Sequence, residues 1–374
     1  MPLPWRLQDC RHGSFKLLSQ PPRVPLRYAN TSRSKFQSSA TVGRPQRWQS
    51  RILWISVPVA FFGCVAYVKY RNWEEPGLNP ERFIPFTLVA KEAVSSTSSV
   101  FTLSPRWATT NSQIYDQAWK DGIWSVQVKQ PQLQIARSYT PLSPILNSEQ
   151  IIDSDLRFLI RRDPQGEVSG YLHKLPIGAE IELRGPHLEY AIPNDVDEVV
   201  FLAGGTGIAP ALQVVHRLIV LSSSPGRESP RIRILWANRR REDALGLPMN
   251  NLDKPTEDNS STARPSLPSL LARELTNLQQ DHQGKLSFQY FNDDQKSFIT
   301  EDVLAKCFLD STRQAKKCPT EGPAGRKLIL VSGPDGFVKH YAGPKVWQGG
   351  VEHSGPVGGI LKRLDLSGWE VWKL

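Results

Sequence analysis

The stretch FLAGGTGIAPALQV at residues 201–214 constrains the fold more than any other part of the sequence. An apolar run is followed by two adjacent glycines, a third glycine and apolar residues at helical spacing, which predicts a buried strand, a tight turn and a helix. Such a turn presents backbone N–H groups and a positive helix end to a phosphate. Because the spacing differs from Gly-x-Gly-x-x-Gly, an ordinary tight turn is the alternative interpretation.

Two later segments extend this pattern into an α/β unit. RIRILWANRR and LILVSGPDGFVKHYAG each contain an apolar strand, and the second strand ends in Gly-Pro before a predicted helix. Alternating strands and helices predict a parallel sheet, in which ligands bind beyond the carboxyl ends of the strands. Upstream, short β-branched and aromatic runs between turn residues predict a small antiparallel β-barrel. The predicted domains are a β-barrel at 78–193 and an α/β parallel-sheet domain at 194–374.

The N-terminal segment is predicted to direct the chain to a membrane. Residues 1–73 contain 12 of the 46 Lys and Arg residues and a single acid, Asp9, and they are rich in Arg, Ser and Pro, as in a mitochondrial transit peptide. A disordered basic tail is the alternative. Residues 52–68 are uncharged and long enough to span a bilayer. We therefore expect a targeting segment at 1–48 and a transmembrane anchor at 49–73.

Charge and cysteine content exclude other classes of protein. The net charge of +10 is confined to the N-terminal segment, because 34 basic and 35 acidic residues follow it, so a nucleic-acid surface is not expected. Positive residues flank the N-terminal side of the apolar stretch, which predicts that the catalytic part faces the intermembrane space from the mitochondrial inner membrane. Neither the four Cys nor the seven His residues show metal-ligand spacing, and no metal is expected.

Two motifs in the barrel region suit a phosphate-bearing cofactor. In ARSYTPLS, Arg137 and Tyr139 share one face of a strand, so the guanidinium can bind a pyrophosphate while the phenol packs on an aromatic ring system. A surface Arg beside a barrel Tyr is the alternative. In PQGEVSGYLHK, Gly166, Val168 and Ser169 precede or open a short helix that suits a second phosphate, unless Ser169 is a plain N-cap residue.

Together these motifs, in this order, resemble the ferredoxin-reductase superfamily of flavoproteins, and in particular its cytochrome b5 reductase branch. The resemblance extends from about Phe86 onward, roughly three quarters of the chain. It implies that Arg137 binds the FAD pyrophosphate, that Tyr139 and Thr140 contact the isoalloxazine ring with Ser138 between Arg137 and Tyr139, and that Gly166, Val168 and Ser169 form the second phosphate loop. It also implies a pyridine-nucleotide site formed by Gly204, Gly205, Thr206, Gly207, Pro210, Gly333, Pro334, Asp335 and Phe337.

The expected chemistry is hydride transfer from NAD(P)H to the flavin, followed by single-electron transfer to an acceptor. Thr140 and Ser332 are the candidate catalytic residues. Thr140 is a hydrogen-bond partner of the flavin, and Ser332 replaces the Cys that the family commonly has beside the nicotinamide, so turnover is expected to be slower. ANRRREDAL leaves the nucleotide open, since Asp243 suits a ribose hydroxyl and Arg239–Arg241 suit a 2′-phosphate.

An anchored flavoprotein with RGPHLEY and GGILKRLDL also resembles the fungal mitochondrial flavoproteins that assist haem attachment to cytochrome c. That resemblance implies reduction of haem iron, and haem proteins of the cytochrome c attachment machinery as partners. Two alternatives remain at this point. One is a general cytochrome b5 reductase-like enzyme, and the other is a membrane-tethered scaffold that has lost its cofactor.

Overall fold

A computed structural model describes residues 77–106, 111–144, 154–221, 229–244, 270–317 and 325–374. The chain divides into two compact units, Met1–Val68 and Lys69–Leu374, and all described residues belong to the second. The predicted targeting segment and the predicted anchor lie outside the described residues. Among the residues that are described, no helix has both the length and the apolar character that crossing a membrane requires.

Residues 84–191 form a curled, six-stranded antiparallel sheet. Its strands are β1 (Ile84–Ala93), β2 (Ser98–Pro105), β3 (Gly122–Gln130), β4 (Ile135–Tyr139), β5 (Leu156–Arg161) and β6 (Glu180–Ala191), in the order β4-β3-β6-β1-β2-β5. Helix α1 (Ser112–Asp121) precedes β3, and helix α2 (Glu167–Lys174) follows β5. Alternate residues of the strands fill a core that includes Phe86, Trp124, Phe158 and Leu183, all 0% exposed.

The sheet is a half-barrel, which corrects the small β-barrel that we expected from the sequence. Strands β4 and β5 are its two edges and do not pair with each other within the described residues. The chain leaving β4 nevertheless reaches β5, since the backbone N–H of Leu142 donates to the carbonyl oxygen of Arg157 at 2.7 Å. The proline at 141, two residues after the end of β4, has no N–H to continue the ladder.

The predicted parallel sheet is confirmed. It consists of β7 (Val196–Gly204), β8 (Arg231–Asn238), β9 (Leu286–Asn292), β10 (Arg326–Ser332) and β13 (Trp369–Lys373), in the order β13-β10-β7-β8-β9. The helices are α3 (Ile208–Val215), α4 (Leu270–Asp281), α5 (Glu301–Lys317) and α6 (Asp335–Ala342), and a small hairpin of β11 (Val346–Gln348) and β12 (Val351–His353) follows α6.

The apolar character of β7 follows from its position at the centre of this sheet. Val199 and Phe201 face a core shared with α3 and the half-barrel, whereas Val200 and Leu202 face a core shared with α5 and α6. A strand buried on both faces needs a continuous apolar run. The predicted boundary at 193/194 lies in the connection from β6 to β7, and the division into two domains stays a prediction because both sheets belong to one compact unit.

Strand order defines a switch point between β7 and β10. The chain proceeds from β7 to β8 and β9 on one side, and then crosses to β10 on the other. In open α/β sheets, ligands bind in the crevice at the carboxyl ends of the strands where the order reverses. In this sheet that edge carries both Gly204 and Ser332.

Candidate functional site

Strand β4 presents the first group of predicted cofactor ligands. Arg137 and Ser138 are exposed, and Tyr139 and Thr140 are half-buried. Within the described residues β4 is an edge strand whose outer side has no neighbouring strand. Arg137 and Tyr139 share one face of β4, and they pair with Val128 and Val126 of β3. The arrangement leaves a backbone edge with an exposed guanidinium along which an extended cofactor fits.

The side chains of β4 suit a dinucleotide with a flat ring system. The Arg137 guanidinium donates to the carbonyl oxygen of Ala136 at 3.0 Å, which uses one of its five N–H groups and leaves a fork for phosphate oxygens. Tyr139 packs against the half-barrel core. Burial raises the pKa of Tyr139 to about 12, and the positive charge of Arg137 opposes that rise. The phenol is therefore neutral at physiological pH and serves as a packing surface.

The second predicted phosphate loop lies beside β4, because α2 packs against β3 and β4. Gly166 is confined, since a Cβ atom there would lie 2.6 Å from the Ser169 hydroxyl oxygen. That hydroxyl donates to the Gly166 carbonyl oxygen and accepts from the Asp163 N–H, so its single proton is already used within the loop. Val168 and Ser169 are buried side chains of the first turn. A phosphate here would bind the backbone N–H groups of this turn.

The two glycine-rich strand ends at the switch point are in direct contact. A Cβ atom at Gly207 would lie 2.3 Å from the carbonyl oxygen of Ser332, and one at Gly204 would lie 2.8 Å from the ring of Phe337. At Gly333, a Cβ would lie 3.0 Å from the Cα atom of Gly204. These three glycines are explained by close packing of β7, β10 and α6. The sequence predicted a cofactor-binding role for all three, and it did not distinguish a glycine that allows close packing from one that faces a cofactor.

Gly205 differs from its neighbours. Its φ is +55°, a Cβ there would meet nothing within 4 Å, and its carbonyl oxygen accepts a hydrogen bond from the indole of Trp236 at 2.8 Å. The turn Gly205–Gly207 therefore has an open side, with the half-buried Thr206 next to Gly205. Pro210 is buried in the first turn of α3. The N–H groups of a first helical turn have no partner within the helix, so proline costs no hydrogen bond there.

The remaining predicted nucleotide residues flank this turn. Pro334 caps α6, accepting hydrogen bonds at its carbonyl oxygen from the N–H groups of Phe337 and Val338. Asp335 is exposed at the start of α6, and Phe337 is half-buried between the two strand ends. Ser332, the second candidate catalytic residue, is 8% exposed at the end of β10.

Asp243 is directed toward the half-barrel. Its Oδ1 accepts hydrogen bonds from the hydroxyls of Ser95 (2.5 Å) and Thr97 (3.3 Å), which belong to the turn between β1 and β2. Asp243 is only 8% exposed, and its Oδ1 is already used, so Oδ2 is the oxygen left for a ribose hydroxyl. Arg239, Arg240 and Arg241 are exposed, and Arg240 pairs with Glu242 at 3.0 Å. The role of Asp243 as a nucleotide ligand stays a prediction.

Polar contacts between the half-barrel and the parallel-sheet region were not predicted. Gln213 of α3 binds Trp124 and Pro141. Arg157 of β5 forms a bidentate ion pair with Glu274 of α4 at 3.0 and 3.1 Å, with both residues buried. Burial raises the pKa of the Glu274 carboxyl, and Arg157 opposes that rise. One signal was available in the sequence, because Gln213 interrupts the otherwise apolar run IAPALQVV.

The predicted flavin and nucleotide residues therefore approach each other. The turn Gly205–Gly207 packs against β5, and α3 packs against β3, so the glycine turn faces the half-barrel that carries Arg137 and Tyr139. Such an arrangement suits a flavin on the half-barrel and a nucleotide at the carboxyl edge of the parallel sheet. The assignments of individual ligands stay predictions.

Comparison with known proteins agrees with this interpretation. The family described as "Oxidoreductase FAD-binding domain" matches residues 85–192. An uncharacterized FAD-binding protein of Schizosaccharomyces pombe is 32% identical over 46% of this chain and 67% of its own length. The cytochrome c mitochondrial import factor of Saccharomyces cerevisiae is 25% identical over 83% of this chain and 88% of its own length.

Reductases of cytochrome b5 are also similar. NADH-cytochrome b5 reductase 2 of Kluyveromyces lactis is 26% identical over 64% of this chain and 67% of its own length. Among solved structures, the cytochrome b5 reductase domain of Ulva prolifera nitrate reductase matches with a TM-score of 0.47 and 18% identity, covering 71% of this chain and 92% of that one. The chain belongs to the FAD-binding oxidoreductases, and its cytochrome b5 reductase-like homologues support an FAD-dependent NAD(P)H oxidoreductase.

Proposed function

We propose that this oxidoreductase is anchored in the mitochondrial inner membrane by residues 52–68, with its catalytic part in the intermembrane space. There it passes single electrons to haem iron and so assists haem attachment to cytochrome c. The observation that carries the proposal is the similarity to the cytochrome c mitochondrial import factor, which extends over 83% of this chain and 88% of the relative. The Arg-rich, acid-poor N-terminus and the uncharged stretch after it support the same location.

The half-barrel edge provides the flavin site in this proposal. Arg137 binds the pyrophosphate with its free N–H groups, and the first turn of α2 provides N–H donors to a second phosphate oxygen. Tyr139 packs on the isoalloxazine ring as a neutral phenol, and Thr140 donates a hydrogen bond to it. When bound, FAD supplies the conversion between a two-electron donor and a one-electron acceptor.

The carboxyl edge of the parallel sheet provides the nucleotide site. The open side of the turn at Gly205 admits the nucleotide backbone, and Thr206 is the adjacent polar side chain. Ser332 and Gly333 at the end of β10 lie against this turn, so their peptide groups would lie next to a bound nicotinamide. With NAD(P)H bound, this site would place the donor ring next to a flavin on the half-barrel.

A second candidate function is reduction of a soluble haem protein or a quinone by a general cytochrome b5 reductase-like enzyme, which the similarity to NADH-cytochrome b5 reductase 2 favours. The scaffold alternative is disfavoured by the match of residues 85–192 to the oxidoreductase FAD-binding domain family.

The test uses the full-length chain purified in detergent, whose visible spectrum is recorded before and after anaerobic addition of NADH and then NADPH. Ferric haem and cytochrome b5 are next supplied separately as acceptors. We expect a yellow protein that bleaches with nucleotide and reduces ferric haem faster than cytochrome b5. Arg137→Ala should lose FAD, while Arg82→Ala, which removes another exposed guanidinium of the half-barrel, should keep it.

Faster reduction of cytochrome b5 would favour the second candidate, and a colourless chain that takes up no added FAD would refute both. Location is tested separately by protease treatment of mitochondria whose outer membrane has been opened. The C-terminal part should then be digested, and protection of it would contradict the proposed orientation.

A further inference from the structure

Gln213 is a polar side chain in the middle of a buried apolar helix. Every residue of α3 is buried, and Gln213 is 0% exposed. A buried amide destabilises a fold unless it is hydrogen-bonded. Its Oε1 accepts from the backbone N–H of Trp124 at 2.8 Å, and its Nε2 donates to the carbonyl oxygens of Trp124 at 3.1 Å and Pro141 at 2.9 Å. Both N–H groups of the amide are therefore used.

These bonds lie where two strands of the half-barrel separate. In the ladder of β3 and β4, Tyr139 lies opposite Val126, so the next pair of the same kind would be Pro141 and Trp124. Gln213 stands between these two residues and binds both of them. Its amide occupies the position that a backbone peptide would otherwise take, because it supplies the donor and the acceptor that Trp124 needs.

The position of this amide connects the two halves of the candidate site. Pro141 directly follows Thr140, the predicted hydrogen-bond partner of the flavin. Along the chain, Gln213 follows the glycine turn Gly205–Gly207, and both belong to one continuous 3₁₀–α segment. A shift of Gln213 relative to Pro141 therefore changes the separation between the flavin-contacting segment and the nucleotide turn.

We propose that Gln213 is a positioning residue that sets the spacing between the flavin ring and the nicotinamide by holding Pro141 away from Trp124. It contacts neither ring and acts through the backbone of Thr140 and Pro141. This inference rests on the flavin and nucleotide placement in the proposed function and is independent of the haem acceptor and of the cellular location. Hydride transfer depends steeply on the separation of the two rings, so the effect is expected on rate.

The experiment compares the full-length chain with Gln213→Leu and with Val214→Ala. The Leu variant has similar volume and forms none of the three bonds, whereas Val214 is a 0% exposed core residue of the same helix without a polar contact. Four quantities are measured for each protein, all without an electron acceptor. They are the melting temperature, the dissociation constant of FAD, the visible circular dichroism of the bound flavin, and the rate of flavin reduction at saturating NADH.

We expect both variants to melt below the wild type. Gln213→Leu should keep its dissociation constant for FAD within about threefold, change the visible dichroism of the bound flavin, and reduce at least about tenfold more slowly, since small misplacements of reacting groups have effects of that order. Val214→Ala should reduce at the wild-type rate. If Gln213→Leu does not fold, the same measurements are made on Gln213→Glu, which keeps the acceptor for the Trp124 N–H, and the same changes are expected.

Equal reduction rates in the Gln213 and Val214 variants would overturn the inference, and so would a folded Gln213 variant that no longer retains FAD, because Gln213 would then hold the flavin and not set a spacing. A wild-type chain that is reduced by NADH but does not reduce haem would refute the proposed acceptor and leave the inference standing. A wild-type chain that binds no FAD would refute both.

Discussion

Substitution of Gly207 by alanine separates the packing function of the glycine turn from its conformational function. Gly207 has φ −60° and ψ −5°, which any residue adopts, so an added methyl acts only through its contacts. It would lie 2.3 Å from the carbonyl oxygen and 2.7 Å from the carbonyl carbon of Ser332. An ordinary carbon–oxygen contact is about 3.3 Å or longer, so the start of α3 and the end of β10 must separate by about 1 Å.

Both sides of this contact are backbone, which cannot rotate away as a side chain can. Overpacking typically costs about 1–3 kcal/mol, and the rigid surroundings place Gly207→Ala at about 3 kcal/mol. For a domain of this size that corresponds to a lowering of Tm by roughly 6 °C or more. Gly205→Ala meets no atom within 4 Å and is strained only by its φ of +55°, so it should be destabilised by about 1–2 kcal/mol.

The assay is thermal unfolding of the flavin-loaded chain, combined with the rate of flavin reduction by NADH. Gly336→Ala is the matched control, because that glycine lies in α6 with open space around its Cβ position and should be neutral or slightly stabilising. Gly207→Ala should also reduce more slowly than Gly205→Ala, since it displaces Ser332 and Gly333. If Gly207→Ala melts with the wild type, the close approach of the two strand ends is not a feature of the protein.

Three further substitutions test other contacts of the site. Asp243→Ala removes the acceptor of Ser95 and Thr97 and should destabilise the chain by about 1–3 kcal/mol in denaturant titration; a changed preference between NADH and NADPH in the same variant would also make Asp243 a nucleotide ligand, and an unchanged preference would refute that predicted role. Burial lowers the pKa of His216 to about 4, so the unfolded chain binds the proton more tightly, and up to about 3 kcal/mol of stability should be lost as pH falls from about 6.5 to 4. His216→Gln should lose correspondingly less stability between pH 6.5 and 4, and a pH profile of stability identical to that of the wild type would show that His216 does not cause the loss. Arg157→Met should cost about 3–5 kcal/mol by leaving the Glu274 carboxylate buried and unpaired, and most of the loss should return when Glu274 is also changed to Met; calorimetry of the single and double variants checks this.

The sequence predicted the elements of the site better than their contacts. FLAGGTGIAPALQV was sufficient for the strand, turn and helix that the structure contains, because apolar periodicity and glycine act locally. Whether a glycine faces a cofactor or another strand depends on what packs beside it. Gly207 meets the end of β10, more than a hundred residues later in the chain, and no local pattern encodes that approach.

Half-barrel closure shows the same limit. Alternating short strands predicted an antiparallel barrel, but the pattern does not define whether its edge strands pair. The ladder of β3 and β4 likewise ends at Tyr139, and beyond it Gln213 binds both Trp124 and, from 72 residues away along the chain, Pro141. The only signal for this contact in the sequence was Gln213 itself, a polar residue in an apolar helix. Such a residue indicates that a hydrogen-bond partner exists but does not identify it.

Directional bonds, more than apolar contact, define how the two halves of this molecule meet. Apolar burial between α3 and the half-barrel is large but non-directional, so it tolerates small sliding of one layer over the other. The Gln213 amide, the Arg157–Glu274 pair and the Ser95–Asp243 bond each lose their geometry when the layers slide by about 1 Å. They join three different parts of the half-barrel to three different parts of the parallel-sheet region. Three such restraints are enough to fix one rigid layer on another, and hydride transfer between a flavin and a nicotinamide, bound by the two layers as proposed, would need that fixed relation.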